Sequence, residues 1–215
     1  MTTQGHFIAL EGGEGTGKST QTRKLAAALE ARGIPVVLTR EPGGTPGAEA
    51  IRSLLLDPPG AGWDVRAEAM LFAAARADHV RNLIRPALEK GHWVVCDRYI
   101  DSSRAYQGMA GELGDDAVRA LHMLGSEGLL PDLTILLSVP FERTAARLAA
   151  RDGNQVDAIG GRGSTYHRKV ASSFSEFAAA EPDRFAVIDG DSDVDTVHAR
   201  LMEVVQPLIA ATPPC

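Results

Sequence analysis

The stretch from Phe7 to Thr20, FIALEGGEGTGKST, leaves this chain few possible folds. Four largely apolar residues, Phe7-Ile8-Ala9-Leu10, run into Gly12-Gly13-Glu14-Gly15-Thr16-Gly17-Lys18-Ser19, which fits G-x-x-x-x-G-K-[ST]. The spacing predicts a buried strand, a glycine loop and a helix opening at about Lys18. Glycines let such a loop take positive φ and turn successive N–H groups toward the phosphates of a nucleotide. Lys18 would reach the β- and γ-phosphates, the Ser19 hydroxyl would ligate Mg²⁺, and the helix N-terminus carrying Thr20 would add donors and a favourable dipole end. A dinucleotide-binding turn is the rival, but Gly15-Thr16-Gly17-Lys18-Ser19-Thr20 has Thr where a third glycine must allow close helix–sheet packing.

Beyond the loop, helical and strand-like patterns alternate. Gln21 to Arg32 has helical spacing, and Gly33 is placed to end that helix before the strand-like Ile34-Pro35-Val36-Val37-Leu38. Arg40-Glu41-Pro42-Gly43-Gly44-Thr45 is a polar turn, Ala48 to Leu56 returns to helix, and a long helical pattern covers Arg66 to Lys90 with a break expected near Pro86. His92 to Cys96 reads as a third strand and runs directly into Asp97-Arg98-Tyr99. Asp101 to Glu127 reads as two helical pieces parted near Gly111 and Gly114, and Leu133 to Leu137 as a fourth strand. Pro140 suits the first turn of a helix bearing Arg143, Arg147 and Arg151. The glycine-rich stretch 152–163 has no apolar period and is expected to be a mobile surface loop, the lid of the domain at about 151–163. A helix to about Glu181, a strand at Phe185 to Ile188 and a helix from about Asp193 to Ala210 complete the chain.

This alternation implies one α/β domain over 1–215: a doubly wound parallel sheet of about five strands flanked by helices, a P-loop nucleotide-binding fold. Ligands bind such sheets outside the carboxyl ends of the strands. The glycine loop, Arg40-Glu41-Pro42 and Asp97-Arg98 all follow strands and should meet in one cleft.

A formal charge of −6 argues against general nucleic-acid binding, so a phosphate site must gather its cations locally. The two cysteines, Cys96 and Cys215, are too few for a disulfide framework; Cys96 reads as core and Cys215 as a tail residue. No apolar run approaches the ~20 residues of a membrane span, and the start has no signal-like segment, so the cytoplasm is expected. The six histidines show no metal-ligand spacing. Neither a G-x-S-x-G nor a Cys/His constellation supports nucleophilic catalysis, and no N-K-x-D-like segment supports a GTP switch.

Phosphoryl transfer needs cations around the phosphates and a held metal. Lys18 is the first cation. Asp97 could hold Mg²⁺ through water and Arg98 could clamp an acceptor phosphate with its planar fork, though a structural Asp–Arg pair is equally compatible. Phe72 and Arg76 lie four apart on one helix face, so ring and guanidinium could stack on and hydrogen-bond a planar base; alone, Phe72 reads as core. Arg143, Arg147 and Arg151 form a basic stripe that either complements the helix dipole or carries arginines over ATP.

Taken together, FIALEGGEGTGKST at 7–20, TREPGGT at 39–45, IRSLLLD at 51–57, MLFAAARADH at 70–79 and DRYIDSSRAYQG at 97–108 resemble the thymidylate (dTMP) kinases, and PDLTILLSV at 131–139 and RDG at 151–153 extend the likeness over nearly the whole chain. The resemblance implies transfer of the γ-phosphate of ATP to dTMP, giving dTDP and ADP with Mg²⁺, by an enzyme that is typically a homodimer. It implies that Phe72 stacks on thymine, Arg76 addresses a base carbonyl, Ser103 and Gln107 lie along the thymine edge and sugar, and Tyr106 walls the sugar pocket. Glu14 would approach the acceptor's 3′-hydroxyl, while Arg52 and Arg98 hold its phosphate with Glu41 nearby. Gly15 after the loop's acidic residue is similar to the class, including many bacterial members, in which the lid supplies the catalytic arginines. Here the lid departs from the usual D-R-[IF]-E, reading Asp157-Ala158-Ile159-Gly160. Arg162 or Arg151 is therefore expected to take that role.

Overall fold

The computed structural model describes residues 5–152 and 157–211. Cys215, Pro213 and Pro214 and the centre of the expected lid, 153–156, lie outside the described residues.

Five strands form one parallel sheet: β1 (Phe7–Glu11), β2 (Val36–Arg40), β3 (Trp93–Asp97), β4 (Leu133–Ser138) and β5 (Phe185–Asp189), in the order β2-β3-β1-β4-β5. β1 is central, with Ile8 opposite Val95 on one side and Leu133 on the other. Every residue of β1 is buried because helices cover both sheet faces, which is why its sequence is a continuous apolar run rather than an alternation. The period of two still sorts its side chains. Ile8 and Leu10 face Leu25 and Leu29 of α1 (Lys18–Glu30) and Val197, Leu201 and Val205 of α9 (Val194–Ala211). Phe7 and Ala9 face the opposite layer, with Val80, Ile84, Cys96 and Tyr99.

The connections follow local signals. α2 (Pro46–Leu56) starts with Thr45 as N-cap, its side chain accepting from the Ala48 N–H, and with proline in the first turn. Asp64 caps α3 (Val65–His79) by accepting from the Arg66 and Ala67 N–H groups. The expected break near Pro86 comes earlier: α3 stops at His79, a π-helical turn covers Val80–Ile84, and α4 (Arg85–Glu89) resumes. Proline at 86 has no N–H, and the ladder accommodates this by widening, the Arg85 N–H reaching back to the Val80 carbonyl. The second strand begins at Val36 rather than Ile34, because the Ile34 N–H bonds the Leu29 carbonyl at the end of α1.

The segment after β3 comprises α5 (Ile100–Ser103), a second π-helical stretch at Arg104–Ala110 and α6 (Asp115–Ser126), parted where expected. α7 (Phe141–Asp152) and α8 (Ser164–Ala180) flank the lid. The lid itself differs from the expected open loop. Arg151 and Asp152 still belong to α7, and the described part of the lid after it is packed: the Ala158 N–H donates to the Leu56 carbonyl, and Ile159 is buried against Phe174 and Tyr106. One apolar side chain was enough to seat a stretch that has no apolar period.

Candidate active site

All strands are parallel, so their carboxyl ends open on one edge, and the order reverses about β1 with β3 on one side and β4 on the other. A cleft of about 930 Å³ lies there, bounded by the glycine loop, the ends of β2 and β3, α3 and the 100–110 segment. This is the switch-point location that parallel sheets give their ligands.

In the glycine loop Gly12, Gly15 and Gly17 have φ of 140°, 74° and 95°. At Gly12 a Cβ would also stand 2.7 Å from the Leu137 carbonyl oxygen, so both backbone shape and the neighbouring strand require glycine. Lys18 folds back, its Nζ donating to the Gly13 carbonyl at 2.6 Å. Burial, helped by nearby Arg98, pulls its ammonium down to about 8. Ser19, on the first turn of α1, donates its hydroxyl to Oδ2 of Asp97 at the end of β3, so the two oxygens expected at a metal adjoin one another.

Arg98 occupies the left-handed region at φ 70°, held there by Glu11. The Glu11 carboxylate, fully buried at the end of β1, accepts from the N–H groups of Tyr99 and Ser102 and from the Ser102 hydroxyl. Its carboxyl is pushed up to about 7 by burial and by Asp101, against the pull of Arg98. Arg98 then donates to the Gly12 carbonyl, Ser102 Oγ, Tyr106 OH and Glu14 Oε1, the last at 2.6 Å. Glu14 is drawn down to about 2, first by Arg98, against burial. Glu14, Arg98 and Tyr106 thus form one cluster. Arg52 reaches the same cleft from α2, donating to the Pro42 carbonyl at 2.7 Å.

Deeper in, Arg76 is 3% exposed and serves several partners. Its Nε donates to Glu41 Oε2 at 2.7 Å, and its Nη2 to Ser103 Oγ at 3.0 Å and to the Tyr99 carbonyl. Glu41 spends its other oxygen on His79 Nδ1, and His79 Nε2 meets Thr39 Oγ1. Glu41 is therefore occupied by Arg76 and His79, while it lines the same cleft as Arg52 and Arg98. Phe72 stands one helical turn before Arg76 on the same cleft wall, as its spacing predicts. Gln107, opposite, donates its amide to Glu68 Oε1 at 2.7 Å.

The arginines of the lid divide. Arg147 lines the cleft and pairs with Asp191 at 3.6 Å, while Arg143 pairs with the same carboxylate without lining the cleft. The Arg151 side chain lies outside the described residues. Arg162 is braced by Glu68 and by Tyr166 OH, and it borders a second cavity on the far side of Gly12, Gly13 and Thr16.

The sequence matches the family description "Thymidylate kinase" over residues 10–201. A thymidylate kinase of Rhizorhabdus wittichii is 55% identical over 95% of this chain and 99% of its own length, and one of Nitrobacter winogradskyi is 47% identical over 92% and 86%. The chain belongs to the thymidylate kinase family. The structure agrees: the crystal structure of thymidylate kinase from Ehrlichia chaffeensis superposes with a TM-score of 0.77 at 31% identity, covering 94% of this chain and all of that one. Within this P-loop fold, sequence reasoning missed several residues that shape the family's cleft here: Glu11, Glu68, His79, Ser102 and Tyr166. Glu11 was legible in principle, as a carboxylate ending an otherwise apolar strand. His79 and Glu68 were legible only as further members of the α3 face that carries Phe72 and Arg76.

Proposed function

We propose that this chain binds ATP on the glycine loop and transfers its γ-phosphate to the 5′-phosphate of dTMP, giving dTDP and ADP. The observation that carries the reading is the cleft beside the glycine loop, where Lys18, Ser19, Arg52 and Arg98 share one lining with Phe72, Arg76, Ser103 and Gln107, phosphate-binding groups together with a ring and polar side chains suited to a base. Phosphoryl transfer depends mostly on positioning and on charge stabilisation, and each group has a place in it. Lys18 neutralises the β- and γ-phosphates over the donors at Gly12, Gly13, Glu14, Gly15, Thr16, Gly17, Ser19 and Thr20. Arg98 and Arg52 hold the acceptor phosphate, and Glu14 with Tyr106 faces its sugar. Arg147, with Arg151 or Arg162, supplies the lid's charge in a chain that forms a single domain.

Ser19 and Asp97 fit Mg²⁺: a hydroxyl and a carboxylate side by side are the hard oxygen donors it prefers. Bound there, the ion would neutralise charge on the donor phosphates. A homodimer is supported by exposed Met70 on α3 and Met123 and Leu124 on α6, an apolar patch on adjacent helices. No helix among the described residues is long and apolar enough to cross a membrane, which suits a cytoplasmic enzyme.

The test is a coupled ADP-release assay with dTMP, dUMP, dCMP, dGMP and thymidine. Turnover is expected to be fastest with dTMP; dTMP no better than dGMP overturns the reading. Lys18→Ala is expected to abolish turnover while dTMP still binds.

A further inference from the structure

Glu68, Phe72 and Arg76 follow one another at four-residue steps along α3; Phe72 and Arg76 line the pocket, and Glu68 is buried against Gln107, which lines it too. Two of the three have expected roles; Glu68 is 4% exposed and had none. An amide side chain offers an acceptor on one end and donors on the other, so the end of Gln107 that faces the cleft decides what it can recognise. Glu68 settles that choice. Its Oε1 accepts from Gln107 Nε2 at 2.7 Å, and its Oε2 is held by the Arg162 guanidinium, so it stands as a paired, acceptor-only carboxylate. Turning the amide over would set two oxygens against each other where both side chains are buried, leaving neither with a donor. Gln107 Oε1 is thereby directed away from Glu68, and it is a buried acceptor with no partner in a side chain that lines the cleft.

We infer that Glu68 is a positioning residue that sets the polarity of the base pocket, fixing Gln107 as an acceptor and so selecting a pyrimidine ring bearing an N–H between carbonyls. The inference rests on the dTMP kinase reading. The matching edge pairs Gln107 Oε1 with a ring N–H and the Arg76 donors with an adjacent carbonyl. Thymine and uracil offer that edge. Cytosine carries a lone pair at the same ring nitrogen and would oppose acceptor to acceptor, the type of mismatch that hydrogen-bonding sites reject strongly.

The experiment compares kcat/KM for dTMP and dCMP in the parent, in Glu68→Gln, and in the exchange Glu68→Gln with Gln107→Glu. In Glu68→Gln the amide at 107 is free to turn, and the dTMP:dCMP ratio is expected to fall about tenfold or more, through KM for dTMP. The exchange puts an acceptor-only carboxylate at 107, fed by the amide N–H now at position 68, while the amide oxygen at 68 still faces Arg162. It is expected to restore the ratio to within about threefold of the parent, which lost packing alone would not do. Should Glu68→Gln lose its cooperative melt, the exchange decides alone: a kept ratio supports the inference and a lost one overturns it. A ratio unchanged in Glu68→Gln also overturns it, with dTMP kinase activity standing. A parent with no preference for dTMP overturns the underlying reading as well.

Discussion

Replacing Glu41 by glutamine keeps the side chain's shape and removes the charge on which Arg76 rests. Arg76 and Glu41 have side chains only 3% and 4% exposed, joined at 2.7 Å, so the guanidinium would be left buried beside a neutral amide. Breaking a buried pair by removing one partner costs about 3 kcal/mol at the low end, appropriate here because the amide oxygen still accepts one hydrogen bond. Unfolding entropy of about 2.1 cal/mol/K per residue gives roughly 0.45 kcal/mol/K for the 215 residues, so the melting temperature should fall by about 7 °C. KM for dTMP should rise, because Arg76 loses the carboxylate that holds its guanidinium in place, while KM for ATP stays in place.

The pH dependence separates this mechanism from simple loss of packing. Burial alone would raise the Glu41 carboxyl, but the Arg76 guanidinium and His79 outweigh it and hold it below its ordinary 4.5. A carboxylate depressed in the folded state contributes stability above the unfolded value and loses it as pH falls through the folded one. Glu41→Gln has nothing to titrate there. The stability gap between parent and variant, from urea unfolding, should be about 3 kcal/mol at pH 7 and narrow steadily below about pH 4.5. A gap under about 1 kcal/mol at pH 7, or one that stays constant down to pH 3.5, refutes the reasoning.

Three further outcomes follow from the cleft and its surroundings. Phosphates bind protonated Lys18, which burial and Arg98 bring to about 8, so kcat/KM for ATP should fall up to about tenfold per pH unit above that value; a profile flat to pH 9.5 contradicts this. Gly12→Ala forces a Cβ against the Leu137 oxygen at φ 140° and should cost about 1–3 kcal/mol with loss of ATP binding, whereas Gly13→Ala, with open space around its added carbon, should leave the melt in place; equal melts would count against the steric account. Leu124→Glu places a charge on the α3–α6 patch and should shift sedimentation from dimer to monomer, the patch being solvent-facing if the parent is already monomeric.

The parts of this molecule that were legible in sequence are those whose cause is local. A strand buried on both faces must be apolar throughout, a phosphate loop must be rich in glycine, and a proline must disturb a helix near itself; β1, the Gly12–Ser19 loop and the π-helical turn before Pro86 follow. Legibility failed where one contact outweighs a pattern. Residues 157–163 look like open loop by composition, yet Ile159 anchors them in the core beside Phe174, and no period exists for a single anchor to betray.

Polar pairing was the hardest to read, because the partners are far apart in sequence. Glu14 and Arg98 are 84 residues apart, Arg76 and Glu41 are 35 apart, and Arg162 and Glu68 are 94 apart. Motifs bring each of these groups to one cleft, since every contributing strand points the same way, but they do not say which cation meets which carboxylate. That choice matters for the chemistry. On the dTMP kinase reading proposed above, Arg98 paired with Glu14 would have to share its fork with an acceptor phosphate, whereas Arg52 rests on a carbonyl and has no carboxylate bonded to it among the described residues. The first capture of a doubly charged phosphate should therefore fall to Arg52, with Arg98 turning from Glu14 as the phosphate approaches. That movement would leave Glu14 an ionised acceptor for the sugar hydroxyl, so one exchange of partners would prepare both ends of the acceptor.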